Sequence, residues 1–236
     1  MERRKFLNAA ALLGISVAAN SPAKLLAADK GKTVGSAKYI NSTEEELINV
    51  ACAISKGTTE IDYIGPCAAF ETWLYDDALK KYKPHFKIYT VSETLEAVDN
   101  RIAEYTFETA PVPQIVLVPA QQGSDALLKW LQKMNGNVEL IMSVCVGARH
   151  LAKAGLLNGL RATTHHESID QFAKDYPEVN WVKGVRFIEE KNICTGGGLT
   201  AGIDLGLRIV ERYLGRASAQ KVADHLEYTS TGWIVN

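Results

Sequence analysis

No two cysteines or histidines in this chain stand at the spacing of a structural metal site. The four cysteines are Cys52, Cys67, Cys145 and Cys194, and the five histidines form no HxxxH pair. Zinc sites draw on CxxC-type and HxxxH-type pairs, so no metal is expected. Excess positive charge is lacking too, with 26 Lys and Arg against 27 Asp and Glu and a formal net charge of -1. A nucleic-acid binder needs a basic face to displace counterions from phosphates, so nucleic acid is not an expected partner. No apolar run reaches the roughly 20 residues of a membrane-spanning helix, and stable membrane insertion is not expected. Gly196-Gly197-Gly198 lacks a P-loop lysine, so it reads as close backbone packing rather than a phosphate cradle. Neither an internal repeat nor a second linker interrupts the later sequence.

The chain has 236 residues, 47% of them hydrophobic, enough for one domain with a proper core. Residues 1–28 read as an export signal outside the fold. Glu2-Arg3-Arg4-Lys5-Phe6-Leu7-Asn8 precedes a short alanine-rich apolar stretch, the layout of a secretory signal. Arg3-Arg4 ahead of Phe6-Leu7 resembles the twin-arginine motif, which implies a periplasmic destination. Cleavage after Ala19, Ala23 or Ala28 is equally compatible. Residues 29–43, rich in Lys, Gly, Ser and Thr, read as a linker, and 44–236 as the domain. In an oxidising compartment the thiols acquire a second reading as disulfides. Cys52 and Cys194 lie in apolar segments and read as buried free thiols, while pairing is left open.

Buried strands are expected at Leu47–Ile54, Phe86–Val91, Gln114–Val118 and Val138–Val144, from short apolar runs. A further excursion spans Arg101–Phe107. A helix is expected to open at Gly65-Pro66 and run through Trp73 and Leu74, with proline in the first turn where its missing N–H costs little. Ser124–Met134 has an amphipathic helical pattern, and Gly147–Ala154 continues as helix. Beyond them come a strand at Arg161–Thr164, a hairpin at Val185–Glu189 and Asn192–Thr195, and helices at Leu199–Tyr213 and Ala217–Tyr228. Strands alternating with helices imply an α/β fold with a mostly parallel central sheet between helical layers.

In Ser143-Val144-Cys145-Val146-Gly147-Ala148 a thiol sits where a strand stops and a helix starts. That pattern resembles a nucleophile elbow, whose small neighbours permit a sharp turn. A helix N-terminus carries positive partial charge, which favours a thiolate, so a depressed Cys145 pKa is expected.

The segments SVCVGARHLAKAGLLNGLRATTHH, ICTGGGLTAGIDLGLRIVE and LEYTSTGW together resemble the ThiJ/PfpI superfamily. The resemblance runs from Ile48 to Trp233, and within the superfamily it is greatest to the branch of isonitrile hydratases and the amidotransferase-like halves of AraC-type regulators. It implies a flavodoxin-like three-layer sandwich, a reactive Cys145, no cofactor, a small-molecule substrate and a homodimer. It also implies that Asp62, in Ile61-Asp62-Tyr63-Ile64-Gly65-Pro66, reaches the thiol, and that His165 stands near it as base or thiolate partner. His150 reads as structural or interfacial. Donors for a developing oxyanion are expected from the Val146 N–H and from the loop Pro119-Ala120-Gln121-Gln122-Gly123. The sequence departs from the branch at three points. Ala120-Gln121 replaces Gly-Gly, Val146 replaces threonine, and His166 replaces tryptophan.

The expected function is that of a cysteine-dependent hydratase or hydrolase converting an isonitrile to an N-substituted formamide. Two alternatives accompany it: a glyoxalase- or deglycase-like activity on reactive carbonyls, and a non-enzymatic redox sensor or chaperone in which Cys145 is oxidised to a sulfinate. A regulator is set aside, since the AraC-type relatives carry a helix-turn-helix module after this one and the chain stops at Asn236.

Overall fold

The segments Ile115–Val118, Leu140–Val144 and Ile193–Gly196 are buried along their whole length, which is the pattern of a parallel sheet covered by helices. The computed structural model describes residues 47–99 and 101–235; the segments read from sequence as an export signal and a linker lie outside them. The strands are β1 (Ile48–Ala53), β2 (Leu74–Asp76), β3 (Lys81–Lys83), β4 (Phe86–Ser92), β5 (Tyr105–Thr106), β6 (Ile115–Val118), β7 (Leu140–Val144), β8 (Arg161–Ala162), β9 (Asn180–Trp181), β10 (Phe187–Glu190) and β11 (Ile193–Gly196). The helices are α1 (Ile61–Glu71), α2 (Asp125–Met134), α3 (Ala148–Lys153), α4 (Ile169–Asp175), α5 (Ala201–Leu214) and α6 (Arg216–His225).

Seven strands form the central sheet in the order β10-β11-β7-β6-β1-β4-β5. Every pairing is parallel except β10 with β11. The α/β sandwich with a mostly parallel sheet is therefore observed. From β1 the chain goes out to β4 and β5, then returns on the other side of β1 as β6. The direction of winding thus reverses between β1 and β6, and in open α/β sheets such a reversal leaves a crevice at the strand ends.

Alternation along the buried strands divides the core in two. Val50, Cys52, Ile115, Leu117, Met142 and Val144 face α1, α5 and α6, against Phe70, Leu205, Ile209 and Val222. Ala51, Ala53, Val116, Val118 and Ile141 face α2 and α3, against Leu127, Trp130, Leu131 and Leu151. Each large side chain so buried contributes roughly 1.5–3 kcal/mol relative to exposure.

The helix α1 begins at Ile61, earlier than Gly65-Pro66. Pro66 lies inside it and leaves one i→i−4 bond unmade. The reason for the proline is its partner: a Cβ on Gly206 of α5 would lie 2.8 Å from Pro66 Cα, and one on Gly202 would lie 3.2 Å from Pro66 Cδ. Two glycines one turn apart therefore let the helices meet backbone to ring. The helix stops at Glu71, and Leu74 starts a β2–β3 hairpin that carries exposed Trp73, Tyr75 and Tyr82 at its base and strands. The Arg101–Phe107 excursion contracts to β5. Capping at α2 follows the usual rule, with Ser124 Oγ accepting from the Leu127 N–H at 3.2 Å. Among the described residues no helix is long and apolar enough to cross a membrane.

Candidate active site

Cys145 directly follows β7 and has φ 58°, the left-handed region that side chains other than glycine rarely enter. A 3-10 turn, Cys145–Gly147, then leads into α3. Two hydrogen bonds hold the strained residue, as such conformations require. Its N–H donates to Gly197 O at 2.8 Å, and Thr164 Oγ1 donates to its carbonyl at 2.8 Å. Gly147 is dictated by sterics. A Cβ there would fall onto the Val118 carbonyl oxygen and within 2.8 Å of Pro119 O. The elbow read from the sequence is present.

Asp62 is fully buried in the first turn of α1. Its Oδ2 accepts from the Ala120 N–H at 3.2 Å, while Oδ1 closes no hydrogen bond. A buried acceptor without a partner is costly and uncommon. Burial raises the Asp62 pKa; the Ala120 N–H, the Cys145 thiol, the His165 charge and the Leu199 N–H pull it partly back. The structure thus brings Asp62 to Cys145, the pairing that the resemblance implied.

The thiol itself departs from expectation. Burial and the charge of Asp62 push Cys145 up to about 11, although the Val146 and Leu199 N–H groups act in the opposite direction. The helix behind the elbow is only six residues long, and its partial charge loses to desolvation and a facing carboxylate. In the free protein the acid and the thiol compete for a proton in a dry place.

Leu199 is a site residue that sequence reasoning missed. It follows the triple glycine, sits at φ 49° and turns its amide toward Cys145. Only the Gly-rich turn hinted at unusual backbone there. The Val146 N–H is the other amide directed at the thiol. The loop 119–123 behaves differently. Gln122 N–H donates to Lys56 O and Gly123 N–H to Ser55 Oγ, each at 2.9 Å. These amides are committed to the β1–α1 turn and border a separate cavity of about 200 Å3, so they are not oxyanion donors at Cys145. Gln121 is buried, with Nε2 donating to Ala53 O at 2.9 Å. Its main-chain carbonyl oxygen accepts from Arg149 Nη2 at 3.2 Å and meets His150 Nε2 at 3.0 Å. His150 is therefore structural: burial pushes its pKa down to about 4, and its ring braces the loop whose Ala120 N–H holds Asp62.

His165 stands at the rim. Its ring lies 4.5 Å from that of His166, and its Nδ1 is 3.8 Å from an exposed Glu167 carboxylate. A Cβ on Gly198 would collide with the His165 ring, which explains the glycine. Both histidines line a cleft of about 360 Å3 with Thr164, Val185, Arg186 and Thr200. Arg186 is anchored from below: its Nε is 2.5 Å from Oδ2 of buried Asp204, whose Oδ1 accepts from Ser230 Oγ at 3.1 Å. Among the described residues no cluster of three or more His, Cys, Asp or Glu stands ready to hold a metal ion.

Residues 118–212, which include the elbow, the His165 segment and most of α5, match the model of the DJ-1/PfpI family. The chain carries a DJ-1/PfpI family domain. An isonitrile hydratase from Pseudomonas putida is 35% identical over 130 residues, 52% of this chain and 55% of that protein. The HTH-type transcriptional regulator CdhR from Pseudomonas aeruginosa is 36% identical over 106 residues, 45% of this chain and 31% of the regulator. The chain thus aligns with about half or less of each of these relatives. Among solved structures, a ThiJ/PfpI family protein from Pseudomonas syringae superposes with a TM-score of 0.64 at 26% identity, covering 78% of this chain and 76% of that one. A DJ-1beta from Drosophila melanogaster shares the fold at a TM-score of 0.63 and 17% identity, covering 78% and 100%. Asp62 lies outside the residues that match the DJ-1/PfpI model, so its place in the site rests on geometry.

Proposed function

We propose that the protein is a cysteine-dependent hydratase that converts an isonitrile to an N-substituted formamide. The observation that carries the reading is the fully buried Asp62 carboxyl beside the Cys145 thiol. The carboxylate can take the thiol proton and hand it on to the substrate, and the ionised form that follows is a base in the next step. In the proposed cycle the Cys145 sulfur bonds to the terminal carbon of the isonitrile while Asp62 gives that carbon a proton, leaving a thioimidate. Water, deprotonated by Asp62, then adds to the thioimidate carbon. The C–S bond breaks, the nitrogen takes the proton, and the formamide leaves with the thiolate restored. The Val146 and Leu199 N–H groups favour the anionic sulfur at either end of the cycle. The isonitrile hydratase from Pseudomonas putida supports the substrate class. Neither residue pair requires a cofactor for this sequence of bonds.

The test is formamide production from a small alkyl isonitrile by wild type and Cys145→Ala, with methylglyoxal as the competing substrate. Turnover of the isonitrile that vanishes in the variant is the expected result. Methylglyoxal turnover without isonitrile turnover overturns it in favour of carbonyl chemistry. Inertness toward both, with peroxide converting Cys145 to a sulfinate, overturns it in favour of a sensor. The same reading includes a homodimer, for which exposed Ile61 and Ile64 on the helix bearing Asp62 offer apolar contact. A monomer mass by light scattering at micromolar concentration contradicts that part.

A further inference from the structure

Two thiols outside the proposed cycle lie against each other in the core. Cys52 is the next-to-last residue of β1, and Cys67 faces it from the middle of α1, with 3.5 Å between their sulfurs. Both are reduced in the structure. Cys52 is completely buried and Cys67, at 6% exposure, is the nearer of the two to solvent. A disulfide requires sulfurs about 2.05 Å apart, which asks for a small closing movement between a strand and the helix packed on it. We propose that Cys52 and Cys67 form a dithiol–disulfide redox site, separate from Cys145, that takes a small-molecule disulfide as oxidant.

The exchange balances as follows. Cys67, as thiolate, attacks one sulfur of the oxidant, and its other half leaves as a thiolate. Cys52 then gives up its proton and attacks the Cys67 sulfur of the mixed disulfide, releasing the second half. Two protein thiols become one disulfide, and one oxidant disulfide becomes two thiols. Cys52 is the more deeply buried of the two, and contact with Cys67 and burial hold its pKa well up, so it acts second, as the resolving thiol. The bond would close a loop that contains Asp62 and clamp α1 onto β1. Since α1 also packs closely on α5 where Pro66 meets Gly202 and Gly206, oxidation should stiffen the region that holds the acid beside the elbow.

The experiment exposes the whole protein to oxidised glutathione, blocks free thiols with iodoacetamide under denaturing conditions, and maps peptides by mass spectrometry. The expected result is a species lighter by two hydrogens in which Cys52 and Cys67 are cross-linked while Cys145 and Cys194 are alkylated. It should reverse with dithiothreitol, persist in Cys145→Ala and disappear in Cys67→Ser. Alkylation of both Cys52 and Cys67 after every exposure overturns the proposal, as does a cross-link through Cys145 or Cys194. The wild-type map decides the matter even where a variant does not fold.

Discussion

Asp62 and Cys145 are both buried and lie against each other, and the charge of Asp62 reinforces burial in keeping Cys145 protonated. Asp62→Asn removes that charge and leaves the burial. Alkylation of Cys145 by iodoacetamide in the wild type should rise across the interval from pH 9 to about 11. In the Asn variant the profile should move to lower pH, with a rate at pH 8 that is greater by roughly tenfold for each unit the pKa falls. An unchanged profile in the variant contradicts the electrostatic coupling. Formamide production should fall in the same variant despite the more reactive thiol, because asparagine has no proton to deliver. His165→Ala should cost less, since that ring stands at the rim.

The same substitution has a stability signature. The folded pKa of Asp62 is raised by burial, so the native state holds its proton more tightly than the unfolded chain, where an aspartate titrates at about 3.9. The stability contributed by the neutral acid is therefore complete below that value and is lost as pH rises through the folded pKa. Asp62→Asn should melt higher than wild type at pH 7, and the gap should close toward pH 4. Thermal unfolding at several pH values measures this, and a variant that melts lower at pH 7 than at pH 4 relative to wild type reverses the sign.

Gly147 and Gly197 both flank the elbow, yet only one is sterically required. Gly147→Ala drives a methyl into the Val118 and Pro119 carbonyls and should cost about 3 kcal/mol or more, as strained core changes do. A methyl at Gly197 meets its nearest neighbours at 3.5 Å, an ordinary contact, and Gly197→Ala should cost less than about 1 kcal/mol. Denaturant titration of the two variants distinguishes them.

Much of this fold is legible in the sequence because parallel strands covered on both faces read as unbroken apolar runs, as β6 and β7 do. The thiol at the elbow is legible because Val144-Cys145-Val146-Gly147 marks a strand stop and a tight turn together. The start of α1 is not, since Pro66 suggests a first turn and only its contact with Gly202 and Gly206 explains a proline deeper in the helix. The β2–β3 hairpin is hidden by Trp73, Tyr75 and Tyr82, whose aromatic rings stay exposed rather than alternating between core and solvent. The sign of the Cys145 pKa shift depends on a carboxylate brought from another segment, and no local pattern contains it. The amide of Leu199 is invisible for a similar reason, because a leucine at positive φ leaves no trace in residue type.

We propose that the first residues direct export by the twin-arginine route. Arg3-Arg4→Lys-Lys should abolish periplasmic accumulation of the mature protein when cells are fractionated, because the paired arginines resemble a twin-arginine signal. Undiminished accumulation contradicts the route.

The order of the strands bears on how fast the molecule can assemble. Within the central sheet only β10 and β11 are joined by a tight local turn; β1 cannot acquire its β6 neighbour until the chain has travelled out through β4 and β5 and back. Closing such loops costs entropy before any pairing repays it, and topologies dominated by distant contacts fold in milliseconds to seconds rather than microseconds. During that interval the apolar ribbons of β6 and β7 stand open to neighbouring chains. Dilute, reducing refolding is the regime in which this sheet closes on itself before it meets another copy.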